Sequence, residues 1–316
     1  ARRGQFRQAQ GRDDALLWRY LPQLSDLEQA FDHACQSQDA AAAAMLLDAL
    51  RTLDAMRGVH IAMEYRLRAI QALLPSASAS ARARICLVIA SCGWIKLPGL
   101  PAASAAAQAV QDLRAHASAR WPLQRALLLL AIEQARGGDT LQAVAALDEA
   151  IDLARPDDPL ERRAIVLASA GYVAYFVGDN LTALARMERA CELAQLAGAS
   201  STLDYAMSNL SGLALLTGDI ALARHHAARA VERARGRHTP VFLAAGLTES
   251  IEAELAAGDI AAALQMLVEA VERAKASGTL KKFSGTYAKL AMGIGEVEAA
   301  CRLLGWTMEH DPVEPN

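Results

Sequence analysis

Gly178-Asp179-Asn180-Leu181-Thr182-Ala183-Leu184-Ala185-Arg186-Met187-Glu188-Arg189-Ala190 is the stretch that decides the fold, because its pattern returns. Gly-Asp pairs stand at Gly138-Asp139, Gly178-Asp179, Gly218-Asp219 and Gly258-Asp259, 40 residues apart each time. Five residues after each Gly comes Ala143, Ala183, Ala223 or Ala263, and twelve after it Ala150, Ala190, Ala230 or Ala270. Three columns in register over four units define an internal repeat. The Gly is expected to end one helix in the left-handed conformation, which costs it no Cβ clash. The Asp is expected to cap the next helix by accepting from its free N–H groups. Alanines seven apart share one helix face, where a small side chain lets the partner helix approach.

Each unit therefore reads as a helical hairpin, for example Arg162 to Val177 followed by Asn180 to Leu196. Loops such as Arg155-Pro156-Asp157-Asp158-Pro159 and Arg235-Gly236-Arg237-His238-Thr239-Pro240 separate the units, since Pro and Gly punctuate helices. Upstream, Ala62 and Ala69 follow Arg57-Gly58, and Ala102 and Ala109 follow Leu97-Pro98-Gly99; downstream, Gly295-Glu296 precedes Ala300. The expectation is an all-α, right-handed superhelical solenoid of about seven antiparallel helical hairpins. Residues 1–24 would form a lead-in and 25–308 the repeat domain, with units near 40–74, 80–117, 121–155, 160–197, 200–235, 239–277 and 280–308. A leading helix from about Ser25 to Gln36 would cover the first hairpin, and residues 309–316 would be a tail.

Composition agrees. The 316 residues are 53% hydrophobic but only 5% aromatic, with alanine supplying much of the apolar content; alanine is the best helix former. Net charge is −3 with both signs mixed along the chain, so no basic stripe for nucleic acid is expected. No 18-residue apolar run free of charges or breakers suggests a membrane span, and the cytoplasm is the expected location. The five cysteines, Cys35, Cys86, Cys92, Cys191 and Cys301, form no CxxC and fall in apolar helical contexts. They read as small buried hydrophobes of a reducing compartment. The chain opens on Ala1 rather than Met, which fits a cut from a longer polypeptide or a processed N-terminus.

No Gly-x-x-x-x-Gly-Lys-Ser/Thr loop, Gly-x-Ser-x-Gly elbow or His-Glu-x-x-His helix is present, so neither catalysis nor a cofactor or metal is expected. His225-His226 is a poor chelator, because adjacent helical residues point about 100° apart; an exposed structural role is expected.

The units resemble the tetratricopeptide repeat, most closely across Asn209-Leu210-Ser211, Gly218-Asp219, Ala223 and Ala230. The period departs from the usual length of about 34 residues, and aromatics are missing at several consensus positions. Longer repeats of this sort are similar to the C-terminal sensor arms of large bacterial regulators, of winged-helix or maltose-regulator type, that carry a signal-transduction ATPase. Leu24-Ser25-Asp26-Leu27-Glu28-Gln29-Ala30-Phe31-Asp32-His33-Ala34 resembles the helix that follows the ATPase module there, with Asp26 for Asn and His33 for Trp. Arg57-Gly58 through Ile70 resembles their next hairpin.

The resemblance implies a binding groove lined by the first helix of each hairpin. Groove positions would include Arg51, Asp54, Arg84, Ser91, Trp94 and Arg125, then Ser169, Tyr172, Tyr175, Tyr205, Ser208 and Asn209, and finally Thr248, Glu249, Glu252, Lys282 and Lys289. Tyr172, Tyr175 and Tyr205 are half of all six tyrosines; they face a ligand or pack between hairpins. Asn209 matches the position that grips a peptide backbone in peptide-binding members. Glu249 and Glu252, i and i+3, would share one helix face as a ligand-facing or solvated acidic patch. Two readings remain open: a regulatory arm that binds a peptide, protein or small-molecule inducer, with its ATPase outside this chain, or a free-standing scaffold joining proteins.

Overall fold

In a computed structural model of the chain, Gly178 has φ 90° and Asp179 follows as the cap of the next helix. The structure describes residues 19–57, 62–93, 95, 97–115, 119–237 and 239–296, without the side chains of residues 55, 56, 281 and 282. Among them there is no strand. The helices are α1 (Leu24–Gln36), α2 (Ala40–Arg57), α3 (Met63–Gln71), α4 (Ala79–Ala90), α5 (Ala102–Arg114), α6 (Arg120–Arg136), α7 (Thr140–Asp152), α8 (Leu160–Val177) and α9 (Asn180–Ala197). They continue with α10 (Ser200–Leu216), α11 (Ile220–Arg237), α12 (Pro240–Ala256), α13 (Ile260–Ser277) and α14 (Leu280–Gly293). Most of the lead-in and the tail, together with the end of the last expected hairpin, lie outside the described residues.

The Gly-Asp turn works at both of its ends. Gly138, Gly178, Gly218 and Gly258 all have φ between 78° and 90°. The Asp N–H then reaches back five residues, for example Asp179 to the carbonyl of Ala174 at 2.9 Å, closing the helix as a Schellman motif. The Asp side chain meanwhile accepts from the next helix: from Gln142, Thr182, Leu222 and Ala262 N–H at 2.8–3.3 Å. One residue thus satisfies free groups of two helices. The alanine columns are buried as their spacing requires, with Ala143, Ala183, Ala223 and Ala263 fully so.

A second set of left-handed turns sits half a period away. Gly198 and Gly278 have φ 64° and 73°, and Gln38 has φ 59°, the one non-glycine with positive φ among the described residues. Asp39 repeats the cap by accepting from Ala42 N–H at 3.0 Å.

Contacts divide the described chain into two compact units. The first holds residues up to Met56 and from Ala62 to Thr202; the second holds those from Leu203 on, with Arg57. In the first, Leu47, Leu50, Met63, Leu67, Ile70, Ile85 and Leu127 are fully buried in one core. In the second, Leu247, Ile251 and Leu290 are the centre. Guanidinium–carboxylate clamps link helices within each unit. Arg82 grips Asp112 at 2.8 and 2.6 Å, and Arg120 grips Asp158 at 2.9 and 2.5 Å. Arg66 binds Asp54 at 2.8 Å and also Glu28, and Asp204 takes Arg233 at 2.5 Å and Arg237. The Arg120 hydrogen bond, then the Arg155 N–H, hold the Asp158 carboxyl far below the usual carboxylate range.

Two stability outcomes follow. Gly178 has open space around it, so Gly178→Ala costs only the left-handed backbone penalty, about 1–2 kcal/mol, whereas Gln38→Gly relieves that penalty and raises the urea midpoint. Because the folded-state pKa of Asp158 is depressed, its contribution is present above the ordinary carboxylate pKa and lost as pH falls below about 4. Asp158→Asn is therefore less stable than the parent at neutral pH, and the gap between their urea curves narrows in acid.

Candidate functional site

The first helices of the hairpins carry the polar side chains. In the first unit, Tyr172 and Tyr175 project from α8 and are half-buried. The Tyr172 hydroxyl accepts from Arg136 Nη2 at 2.9 Å, and the same guanidinium lies 5.2 Å from the ring centroid. Arg136 is in turn held by Glu133 at 2.8 Å. Phe176 completes the group, 5.1 Å from Tyr172 and 4.7 Å from Tyr175 between centroids, both edge-on. The tyrosines thus pack against neighbours while leaving part of each ring to solvent, the amphipathic surface that suits a ligand of mixed polarity. Local sequence does not signal Arg136, which belongs to the preceding repeat, whereas Phe176 stands four residues after Tyr172 on the same helix.

Arg125, on α6, donates to Ser91 Oγ at 2.9 Å and lies 3.6 Å from Asp48. Asp48 is already held by Arg51 at 3.2 and 2.9 Å. Trp94 lies outside the described residues, as does the Lys282 side chain.

In the second unit, Tyr205, Ser208 and Asn209 occupy α10. Ser208 Oγ and Asn209 Nδ2 both donate to the Tyr205 carbonyl, at 2.9 and 2.7 Å. That arrangement leaves the Asn209 carbonyl oxygen as the group able to meet a ligand donor. On α12 the two glutamates diverge. Glu249 lies against Gly212, where an added Cβ would stand 3.2 Å from its carboxylate oxygen. Glu252 accepts from Thr286 at 2.6 Å and faces Lys289 at 3.5 Å. The expected acidic patch is thus split, one carboxylate toward α10 and the other toward α14.

Three groove expectations are corrected. Asp54 is buried against Arg66, Ser169 is buried in α8, and Thr248 is buried with its hydroxyl on the Ala244 carbonyl at 2.8 Å. Each lies on a buried face of its helix. The histidine expectation is corrected as well: His226 is buried, and burial, followed by His225, lowers its pKa.

Among the described residues, no group of three or more His, Cys, Asp or Glu is placed to hold a metal. No described helix is long and apolar enough to cross a membrane. Cys86 and Cys92 are buried and burial pushes both thiols up to about 11, far from the low values of nucleophilic cysteines.

With helix pairs, turns and small-residue columns in place, the chain is an all-helical protein of tetratricopeptide-like repeats. The family model described as anaphase-promoting complex subunit 5 matches residues 102–161 and 162–215. No curated protein matches. Among solved structures, a Rap protein complexed with competence and sporulation factor is 13% identical with a TM-score of 0.59, covering 94% of this chain and 91% of its own. Aspartyl phosphate phosphatase F from Bacillus subtilis is 12% identical with a TM-score of 0.56, covering 88% of this chain and 73% of its own. BtubC (BKLC) from P. vanneervenii is 14% identical with a TM-score of 0.52, covering 68% and 92%. At these identities the likeness is one of fold.

The thiol environments give a direct check. Iodoacetamide at about pH 8, below both thiol pKa values, is expected to leave Cys86 and Cys92 unmodified in the native protein, with labelling by mass spectrometry only after denaturation.

Proposed function

We propose that the chain is a non-catalytic binding domain that takes a peptide or protein against the first helices of its hairpins. The observation that carries this is the polar and aromatic set on those helices, with half-buried Tyr172 and Tyr175 in one unit and exposed Tyr205 beside half-buried Ser208, Asn209 and Glu249 in the other. The matched family names a subunit of a complex, and one similar structure is a Rap protein complexed with competence and sporulation factor. Both agree with a protein that works by binding.

The finer reading is a sensor arm of a bacterial transcription regulator whose ATPase lies outside this chain, with its ligand as the inducer. Support comes from Leu24 to Ala34, which folds as α1, the helix position that follows the ATPase in such regulators. The alternative is an adaptor that joins proteins, which the match to a complex subunit favours. The coding DNA upstream of Ala1 separates the two: an in-frame Gly-Lys-Ser/Thr loop supports the regulator, and an initiator codon immediately before Ala1 leaves the adaptor.

A fluorescence-polarisation screen of labelled random hexapeptides tests the binding reading itself. Tyr172→Ala is expected to weaken peptides bound on the first unit, and Asn209→Ala those bound on the second, about tenfold or more, the loss of an anchoring contact, with unchanged far-UV circular dichroism. Unaltered binding by both variants refutes this placement of the groove.

A further inference from the structure

The second unit contains a repeat that breaks a column the others keep. Nine residues after the glycine of each Gly-Asp turn stand Leu147, Met187, Ala227 and Leu267. Leu147, Met187 and Ala227 are all buried, so an alanine stands where its counterparts fill the space between helices. Beside Ala227 lies a cavity of about 500 Å³, within the size range of small-molecule sites. One wall is α11, whose lining runs from Arg224 through Ala227, Ala228 and Val231 to Arg235, a single stripe of about three turns. The floor is Leu247 and Ser250 of α12, and Met266 of α13 stands opposite. On α12 the lining residues Leu247, Ser250 and Glu254 follow at i, i+3 and i+7, which sets Glu249 and Glu252 on the other side of the helix. The cavity is therefore separate from the surface proposed for peptides and shares no side chain with it.

Ion pairs stand at its two ends. Arg224 binds Glu254 through Nε at 3.0 Å and also through Nη2, and Arg235 reaches Glu269 of α13 at 2.5 Å. Along α11 these two arginines are about 16 Å apart. A partner chain laid along the trough would have to displace both pairs, whereas a small molecule fits between them. Each arginine charge is matched by its carboxylate. Glu232, exposed on α11 between the two and lining the same cavity, has no ion pair among the described residues. Ser250 Oγ already donates to the Gly246 carbonyl at 2.9 Å, so it offers a ligand only its lone pairs. The unmatched polar groups of the cavity are thus both acceptors, and one of them is negative.

The geometry points to a site for a small organic amine, with its apolar body on Ala227, Val231 and Leu247 and its ammonium on Glu232 and Ser250. An ammonium carries three donors and no acceptor, which is the complement of what the cavity leaves open. An alcohol of the same shape leaves the Glu232 charge unmatched, and a carboxylic acid meets it with like charge. The alanine in a column of large residues is what keeps the apolar part of the site empty.

The test uses the full chain and three probes with one body and different heads: 4-phenylbutylamine, 4-phenylbutan-1-ol and 4-phenylbutyrate, titrated by ligand-observed NMR. The amine is expected to bind with a Kd of about a millimolar, ordinary for a probe of that size. It should bind about fivefold more tightly than the alcohol, the modest worth of an ion pair at an exposed carboxylate, with the acid weakest. Glu232→Gln is expected to bring the amine down to the alcohol's affinity and to leave the alcohol unchanged. Ala227→Met restores the large side chain of the column, and Ala228→Leu narrows the mouth from an exposed helical position where leucine costs little stability. Each is expected to weaken amine and alcohol alike about tenfold or more, through loss of the apolar contact, and Ala228→Leu decides the point should Ala227→Met lower the urea midpoint. Equal binding of amine and alcohol, or an amine preference that survives Glu232→Gln, overturns the inference. So does probe binding that survives Ala228→Leu, or no binding of the amine at all.

Discussion

The turn at each Gly-Asp pair is the constraint from which the rest of the structure follows. A helix end leaves carbonyls and N–H groups without partners, and two consecutive helices joined by two or three residues leave almost no chain to satisfy them. The left-handed glycine lets the Asp N–H close the first helix, while the Asp side chain opens the second. Since both bonds are fixed, so is the rotational phase of the second helix. Ala183 and Ala190 must then face α8, and only a small residue permits that approach: at Gly171 an added Cβ would stand 3.1 Å from the Ala183 carbonyl.

This explains which parts of the fold were legible in the sequence. The turn inside each hairpin demands one backbone geometry and one side-chain cap, so the same two residues recur. The turn between hairpins can be built in several ways. Gly198 and Gly278 use the left-handed conformation, Gln38 does so without a glycine, and Ser78 caps α4 with its hydroxyl on the Ala81 N–H. No common residue type results, so the turns between hairpins show in the sequence only as scattered Pro and Gly and not as a recurring pair. The candidate site was legible only as positions. Tyr172, Asn209 and Glu249 can be placed on first helices by counting from the glycine, but the partners lie about one repeat away, as Arg136 does from Tyr172 and Thr286 from Glu252. Local patterning cannot show such pairs. It also failed at Asp54, Ser169 and Thr248, where counting from a loose motif misjudged burial.

Alanine-rich interfaces raise a question of register. Smooth faces such as Ala183 and Ala190 lack the large side chains that interlock in an ordinary core, so a neighbouring helix could slide at modest cost. The buried clamps answer this. Arg82 with Asp112, Arg120 with Asp158 and Arg233 with Asp204 each join points about 30–38 residues apart. A buried ion pair returns little net stability, because desolvation offsets its attraction. A slipped helix would instead leave a charge buried and unpaired, which costs several kcal/mol. The clamps therefore act chiefly by penalising wrong arrangements.

The proposed binding reading assigns fold and recognition to different helices. The capping Asp and both alanine columns belong to the second helix of each hairpin, so that helix has little freedom to vary. The first helix has to end at the turn and present an apolar stripe, but its remaining face is unconstrained. That is where Arg125, Tyr172, Asn209 and Glu249 lie. A scaffold built this way can change its ligand by substituting first-helix residues without disturbing the turns that hold it together. The polar side chains of α6, α8, α10 and α12 differ from one hairpin to the next, while the Gly-Asp pair at the end of each does not.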